Sequence, residues 1–170
     1  EDLRALRKIL KRNKSKIGVI SKIEKPEAVK NIDEIISLSN GIMVARGDLG
    51  VEIPAYRVPA IQKKIVRKSV ERARPVIIAT QMLESMTTSP VATRAEVNDV
   101  ANSVIDGADA VMLSGETSVG KNPTKVVETM RGIIRDIEKS DYTFRPENDN
   151  SIDSWLSKDR QISNSICLHA

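Results

Sequence analysis

Cysteine, histidine and aromatic residues are all scarce in this chain of 170 residues. It contains one cysteine, one histidine, one tryptophan, two tyrosines and one phenylalanine. A single cysteine, Cys167, excludes an intrachain disulfide and favours a reducing compartment. Surfaces that bind single-stranded nucleic acid stack bases on exposed aromatic rings, so the shortage of rings argues against a nucleic-acid partner. It also means that the core must be aliphatic.

Long apolar runs are missing as well. A membrane span needs about 20 apolar residues in succession, and no segment of this chain approaches that length. No signal peptide is recognisable, so we expect no membrane partner and a cytoplasmic location. The net charge is only +4, and the basic residues form no sustained run, which is typical of a solvated surface. The chain opens without Met and inside a helical pattern, which suggests a segment of something longer.

Apolar runs of strand length alternate with amphipathic helical patterns along most of the chain. Each run is almost wholly apolar, which is typical of parallel strands that helices cover on both faces. Four strands cannot close a barrel, and an open half would leave two unpaired edges. We therefore predict an α/β fold that forms half of an eight-stranded, TIM-type (β/α)8 barrel. The predicted strands are residues 17–21, 42–46, 75–80 and 109–113.

Boundary signals divide the chain near residue 140. Thr93 and Glu96 have the spacing of a capping box and predict a helix to about Asp106, which Gly107 ends. Pro123 predicts the start of a last helix, to about Glu138. After residue 140 the composition becomes polar and rich in turn formers. We therefore predict a partial barrel domain at 1–140, and a linker with the beginning of another domain at 141–170.

Polar chemistry follows all four predicted strands. In parallel α/β folds, ligands gather at the carboxyl ends of the strands. Glu24 and Asp48 arrive at the same end of two strands, so they can place two hard oxygen ligands around one divalent cation. Lys22 adds a positive charge there. The four strand ends read Lys-Ile-Glu at 22–24, Arg-Gly-Asp at 46–48, Thr-Gln at 80–81 and Ser-Gly-Glu at 114–116.

Four segments, in the same order, resemble pyruvate kinase: residues 22–24, 41–54, 79–86 and 112–117. The resemblance implies phosphoryl transfer from phosphoenolpyruvate to ADP, giving pyruvate and ATP in the last step of glycolysis. It further implies that the chain holds the second half of the barrel and the start of a C-terminal regulatory domain. A homotetramer is the implied assembly. Since the first half would be missing, we expect the chain by itself to be inactive.

The resemblance also implies ligands and roles at the first two strand ends. Glu24 and Asp48 would be ligands of Mg²⁺ or Mn²⁺. Lys22 would stabilise the transferring phosphoryl group and the enolate, while the N–H groups of Gly47 and Asp48 would hold the substrate carboxylate. The family also uses K⁺, whose ligands we expect outside this chain.

At the other two strand ends the resemblance implies a route for a proton. The Thr80 hydroxyl would contact the substrate carboxylate and, with Ser114 and Glu116, would take part in protonating the enolate.

Two motifs are misleading. Arg46-Gly47-Asp48 spells a cell-adhesion tripeptide, which we interpret as coincidence because the loop lies between buried elements. Residues 115–121 fit G-x-x-x-x-G-K, but Asn122 stands where a phosphate-binding loop needs Ser or Thr for Mg²⁺, and Glu116 would face the phosphates.

Three alternatives to the kinase interpretation remain. Lys22 and Glu24 could be an exposed ion pair at a strand end without further function. Another possible class is a divalent-metal-dependent aldolase or lyase that acts on pyruvate enolates in a related barrel. The third is a non-catalytic truncated fragment that binds or scaffolds.

Overall fold

Helices and strands alternate along residues 1–140, which are the residues that this computed structural model describes. The predicted linker and second domain at 141–170 therefore lie outside the described residues. The strands are β1 (Ile20–Ile23), β2 (Gly41–Ala45), β3 (Val76–Ala79) and β4 (Ala110–Met112). The helices are α1 (Asp2–Arg12), α2 (Pro26–Lys30), α3 (Ile32–Leu38), α4 (Arg46–Glu52), α5 (Val58–Val70), α6 (Arg94–Ile105), α7 (Gly115–Ser118) and α8 (Pro123–Glu138).

The four strands form one parallel sheet in the order β1-β2-β3-β4. Ile42 of β2 pairs with Ser21 on one side and Val76 on the other, and β4 pairs with β3 in the same direction. Parallel neighbours in sequence order, each joined by helix, are the arrangement of a β/α barrel. The predicted α/β fold, as part of such a barrel, is confirmed. Among residues 1–140, no helix is long and apolar enough to cross a membrane.

The core is aliphatic and centres on the two inner strands. In β2 and β3, Ile42, Val44 and Ile78 are fully buried, and Ile65 and Val66 of α5 cover them. The outer strands are less buried than the sequence suggests, because each has only one neighbour in the described sheet: Ile20 of β1 remains 56% exposed. The methionines that fill gaps in the core are Met82, Met86 and Met130.

Three predicted boundaries are wrong. The first strand begins at Ile20 rather than residue 17, because the Val19 N–H bonds to the Asn40 side chain (2.9 Å). Pro26 and the apolar residues Val29, Ile32, Ile35 and Ile36 predict one continuous helix, but it is interrupted at Asn31, which ends α2 and precedes α3. The segment after β2 is helix α4 from Arg46 rather than an open loop.

The helix-end signals are confirmed. Thr93 Oγ1 accepts the Glu96 N–H (3.2 Å), and Glu96 Oε2 accepts the Thr93 N–H (2.8 Å), so the capping box is complete. Gly107 follows the end of α6 with φ of 96°, a conformation that favours glycine. Helix α8 begins at Pro123, as predicted.

Candidate active site

Lys22, Glu24 and Asp48 meet at the carboxyl end of the sheet. Lys22 lies in β1, Glu24 directly follows that strand, and Asp48 lies in the first turn of α4 after β2. The Lys22 ammonium contacts Glu24 Oε2 at 2.5 Å and Asp48 Oδ2 at 2.8 Å. The parallel pairing of β1 with β2 explains the meeting, since it carries both strand ends to the same edge.

The charges in this cluster stabilise one another. Hydrogen bonds to Asp48 and then to Glu24 raise the pKa of Lys22 above its usual value. The bond from Lys22 lowers the pKa of Asp48 below its ordinary range. Lys22 therefore stays protonated and Asp48 ionised at neutral pH. All three side chains are a third exposed or more, so the contacts add little to stability and their importance lies in position.

The donors suit a hard divalent cation. Two carboxylates that contact the same ammonium group also face the same small volume. Within residues 1–140 no group of three or more His, Cys, Asp or Glu side chains could hold a metal ion. Two carboxylates nevertheless fit Mg²⁺, which commonly retains water and substrate oxygens as its other ligands. Glu24, Asp48 and Glu52 line a cavity of about 260 Å³ at this position.

Gly47 and Thr80 bring the ends of β2 and β3 into contact. The Gly47 N–H donates to Thr80 Oγ1 (2.8 Å), and the Thr80 hydroxyl donates to the Ala79 carbonyl (2.6 Å). A Cβ at Gly47 would lie 3.2 Å from Thr80 Oγ1, so only glycine allows this approach without displacing the hydroxyl. The predicted binding of a substrate carboxylate by Gly47, Asp48 and Thr80 stays a prediction. It requires the Gly47 N–H to exchange its bond with Thr80 for one with substrate.

Glu116 and Ser114 form a second polar group, after β4. Glu116 is fully buried, and its carboxylate accepts three backbone N–H groups: Met82 (3.3 Å), Leu83 (3.3 Å) and Ser114 (2.8 Å). Within the described residues, no hydrogen bond joins Ser114 or Glu116 to Lys22, Glu24 or Asp48. The predicted proton route through these two residues therefore stays a prediction, and the geometry gives Glu116 a part in holding the segment after β3.

Sequence reasoning missed Arg46. It belongs to a polar strand end and to an adhesion-like tripeptide, and neither pattern indicates its contacts: the Arg46 side chain is 10% exposed and bonds to Asp99 in α6. It also donates to the carbonyl oxygens of Thr80 (2.8 Å) and Gln81 (3.0 Å). The one available signal was an arginine directly after a buried strand. Its partner Asp99 lies 53 positions away and could not be inferred from spacing.

A larger groove, of about 610 Å³, lies between α4, α5 and α6. Its lining includes Gly47 and Gln81 but not Lys22, Glu24 or Asp48. Volume alone would select this groove. We assign the chemistry to the smaller cavity, because that cavity contains the convergent carboxylates.

A family sequence model and the individual relatives that match this chain indicate the same protein family. The sequence model described as "Pyruvate kinase, barrel domain" matches residues 1–127. The chain is 48% identical over 162 residues to the pyruvate kinase of Corynebacterium glutamicum, which covers 93% of this chain and 34% of that protein. It is 52% identical over 142 residues to the pyruvate kinase of Staphylococcus epidermidis, covering 83% of this chain and 24% of that protein. The chain thus spans about a third or less of the curated relatives that it matches.

Proposed function

Since this chain belongs to the pyruvate kinase family, we propose that the protein containing it transfers a phosphoryl group from phosphoenolpyruvate to ADP, giving pyruvate and ATP. The observation that carries the proposal is the cluster of Lys22, Glu24 and Asp48 at the carboxyl end of a parallel sheet. Phosphoryl transfer depends mainly on alignment and on neutralising charge, and this cluster offers a fixed cation beside two carboxylates.

Lys22 is the residue to which we assign the main electrostatic work. Its ammonium stays protonated because two carboxylates contact it, so it can stabilise the negative charge on the phosphoryl oxygens. When the phosphoryl group leaves, the same cation stabilises the oxygen of the enolate left behind. Preorganised groups of this kind typically contribute about 3 kcal/mol to the transition state.

Glu24 and Asp48 would hold Mg²⁺ or Mn²⁺, which when bound would polarise the substrate oxygens and offset their charge. The two carboxylates also orient Lys22, because each accepts a bond from its ammonium group. Removing either carboxylate would therefore weaken cation binding and loosen the lysine together. K⁺, whose ligands we expect outside this chain, completes the proposed cofactor set.

The substrate carboxylate would bind at the start of α4. The first N–H groups of a helix lack partners within the helix and favour an anion. Gly47 and Asp48 supply two such groups, and the Thr80 hydroxyl lies 2.8 Å from the Gly47 nitrogen. A carboxylate bound there would lie beside the end of β3. From that end Thr80, and more indirectly Ser114 and Glu116, would assist proton delivery to the enolate.

Pyruvate formation tests the proposed reaction. The complete gene product that contains these residues should be incubated with phosphoenolpyruvate, Mg²⁺ and K⁺, with and without ADP. Pyruvate formed with ADP, with an equal amount of ATP, is the expected result. The proposal would be contradicted if no pyruvate formed from phosphoenolpyruvate, while a hydroxylated keto acid released pyruvate with Mg²⁺ alone. That result would favour a metal-dependent aldolase. The 170-residue chain alone should give no pyruvate.

A further inference from the structure

Two consecutive residues after β3 adopt a backbone conformation that side chains disfavour. Thr80 has φ of 71° and Gln81 has φ of 54°, both in the left-handed region. A β-branched residue such as threonine is a genuine outlier there, because its Cβ crowds the backbone carbonyl. Such conformations persist only where neighbouring groups hold them. Thr80 is also the residue whose hydroxyl contacts Gly47 at the candidate active site.

Arg46 is the group that holds this dipeptide. Its Nη2 donates to the carbonyl oxygens of both Thr80 (2.8 Å) and Gln81 (3.0 Å), and its Nε contacts the Thr80 oxygen again at 3.3 Å. These are the carbonyls of the two strained residues themselves. A planar guanidinium can contact both and still present another nitrogen to a third partner, which a lysine ammonium cannot do in the same geometry.

Asp99 supplies that third partner. The Arg46 Nη1 lies 2.7 Å and 2.6 Å from the two carboxylate oxygens of Asp99, and Gln62 Oε1 lies at 3.5 Å from the same nitrogen. The Arg46 side chain is 10% exposed and the Asp99 side chain 36%, so water screens this ion pair only in part. Asp99 is anchored in α6, whose N-terminus is fixed by the Thr93 capping box.

We propose that the Arg46–Asp99 pair is a positioning device that holds Thr80 and Gln81 in the left-handed conformation and thereby sets the Thr80 hydroxyl against Gly47. Neither residue is among the groups proposed to contact substrate, so both are positioning residues. The inference rests on the proposed function, in which Thr80 contacts the carboxylate of phosphoenolpyruvate. It extends that function to α6, which carries Asp99 and so helps to fix the substrate contact at Thr80.

The device predicts a specific kinetic change in the complete protein. Arg46→Lys and Asp99→Ala should lower kcat/KM for phosphoenolpyruvate by about 10- to 100-fold, because a displacement of about 1 Å at a substrate contact has effects of that size. KM for ADP should not change. Asp106→Ala is the matched control. Asp106 directly follows the last residue of α6 and pairs with a cation, Lys63 (2.5 Å), but it forms no hydrogen bond with Thr80. Its kinetics should equal those of the wild type.

Glycine at residue 81 provides the decisive rescue. Glycine adopts positive φ without strain, so Gln81→Gly should recover about 5- to 30-fold of the activity lost in Arg46→Lys. Gln81→Ala removes the same side-chain functions but keeps the strain, and should recover nothing. Equal behaviour of the Gly and Ala double variants would overturn the proposal. Unchanged kinetics for phosphoenolpyruvate in folded Arg46→Lys and Asp99→Ala would also overturn it.

Amide hydrogen exchange separates this proposal from the proposed function. Exchange at residues 80–83 should accelerate in Asp99→Ala and not in Asp106→Ala, whatever reaction the protein catalyses. If the wild type forms no pyruvate but this contrast is seen, the proposed function fails and the positioning device stands. Equal exchange in both variants would refute the device even in an active kinase.

Discussion

Replacing Glu116 by Gln separates a structural role of this residue from a chemical one. The Glu116 carboxylate is fully buried and accepts the N–H groups of Met82, Leu83 and Ser114. One oxygen, Oε1, serves both Met82 and Leu83, while Oε2 serves Ser114 alone. Glutamine has the same shape but only one acceptor oxygen. It can therefore satisfy one of these two positions and must present its own N–H₂ to the other.

The distances indicate which bond is lost and at what cost. Retaining the oxygen toward residues 82 and 83 leaves the Ser114 N–H, the shortest of the three contacts at 2.8 Å, facing an amide donor. An unsatisfied buried donor costs about 2 kcal/mol. Glu116→Ala removes every acceptor, and with two long bonds and one short one we expect a loss of about 4 kcal/mol.

Amide hydrogen exchange of the complete protein measures this loss locally, without a two-state assumption for a large protein. A local cost of about 2 kcal/mol corresponds to roughly 30-fold faster exchange at Ser114 in Glu116→Gln. Glu116→Ala should accelerate exchange at residues 82, 83 and 114 together. Unchanged exchange in both variants would refute the structural role. If activity then fell without any change in exchange, the loss would favour the proton route predicted from the family resemblance.

Three further predictions concern stability. Gly120→Ala should destabilise the end of α7 by about 1–3 kcal/mol, because its Cβ would lie 2.0 Å from the Glu116 carbonyl oxygen. A Cβ at Gly132 in α8 would meet no atom within 4 Å, so Gly132→Ala should be neutral or stabilising. Hydrogen exchange over each helix distinguishes the two variants. Thr93→Ala should lower the stability of α6 by about 1 kcal/mol, seen as a lower thermal midpoint. Thr93→Ser keeps the capping hydroxyl and should preserve most of that stability. The Asp33 carboxylate bonds to two cations that lower its pKa, so its contribution is present above about pH 4 and is lost as the pH falls through the lowered value. Because Asp33 is half exposed, Asp33→Asn should reduce stability at pH 7 by less than about 1 kcal/mol, and this difference should shrink as the pH falls through the lowered pKa.

The sequence predicted the elements of the fold well where the signal was local. Apolar runs identified all four strands, and the Thr93 capping box and Pro123 located two helix starts, because these signals depend on residues within one turn of each other. The boundaries near Ile20 and Arg46 were wrong, because side chains distant in sequence decide them. The Asn40 side chain accepts the N–H of Val19, and the Arg46 side chain, where α4 begins, bonds to Asp99 and to the Thr80 carbonyl.

The residues of the candidate site also fall into those that sequence could bring together and those that it could not. Lys22, Glu24 and Asp48 could be brought together from sequence, since parallel strands carry their ends to one edge. The Arg46–Asp99 pair could not, because it joins residues from different β/α units. Nor does sequence indicate that Thr80 has positive φ, since threonine is an unusual residue for that conformation.

The most direct test of the central claim measures ADP-dependent pyruvate formation by charge-matched variants of the complete protein. Lys22→Met should lower kcat at least about 100-fold, because it removes the fixed cation from the transition state. Lys30→Met removes an exposed lysine at the end of α2 that does not line the cavity of Glu24 and Asp48, and should leave kcat within about 3-fold of wild type. Equal activity in the two variants would contradict the assignment of catalysis to the cluster of Lys22, Glu24 and Asp48.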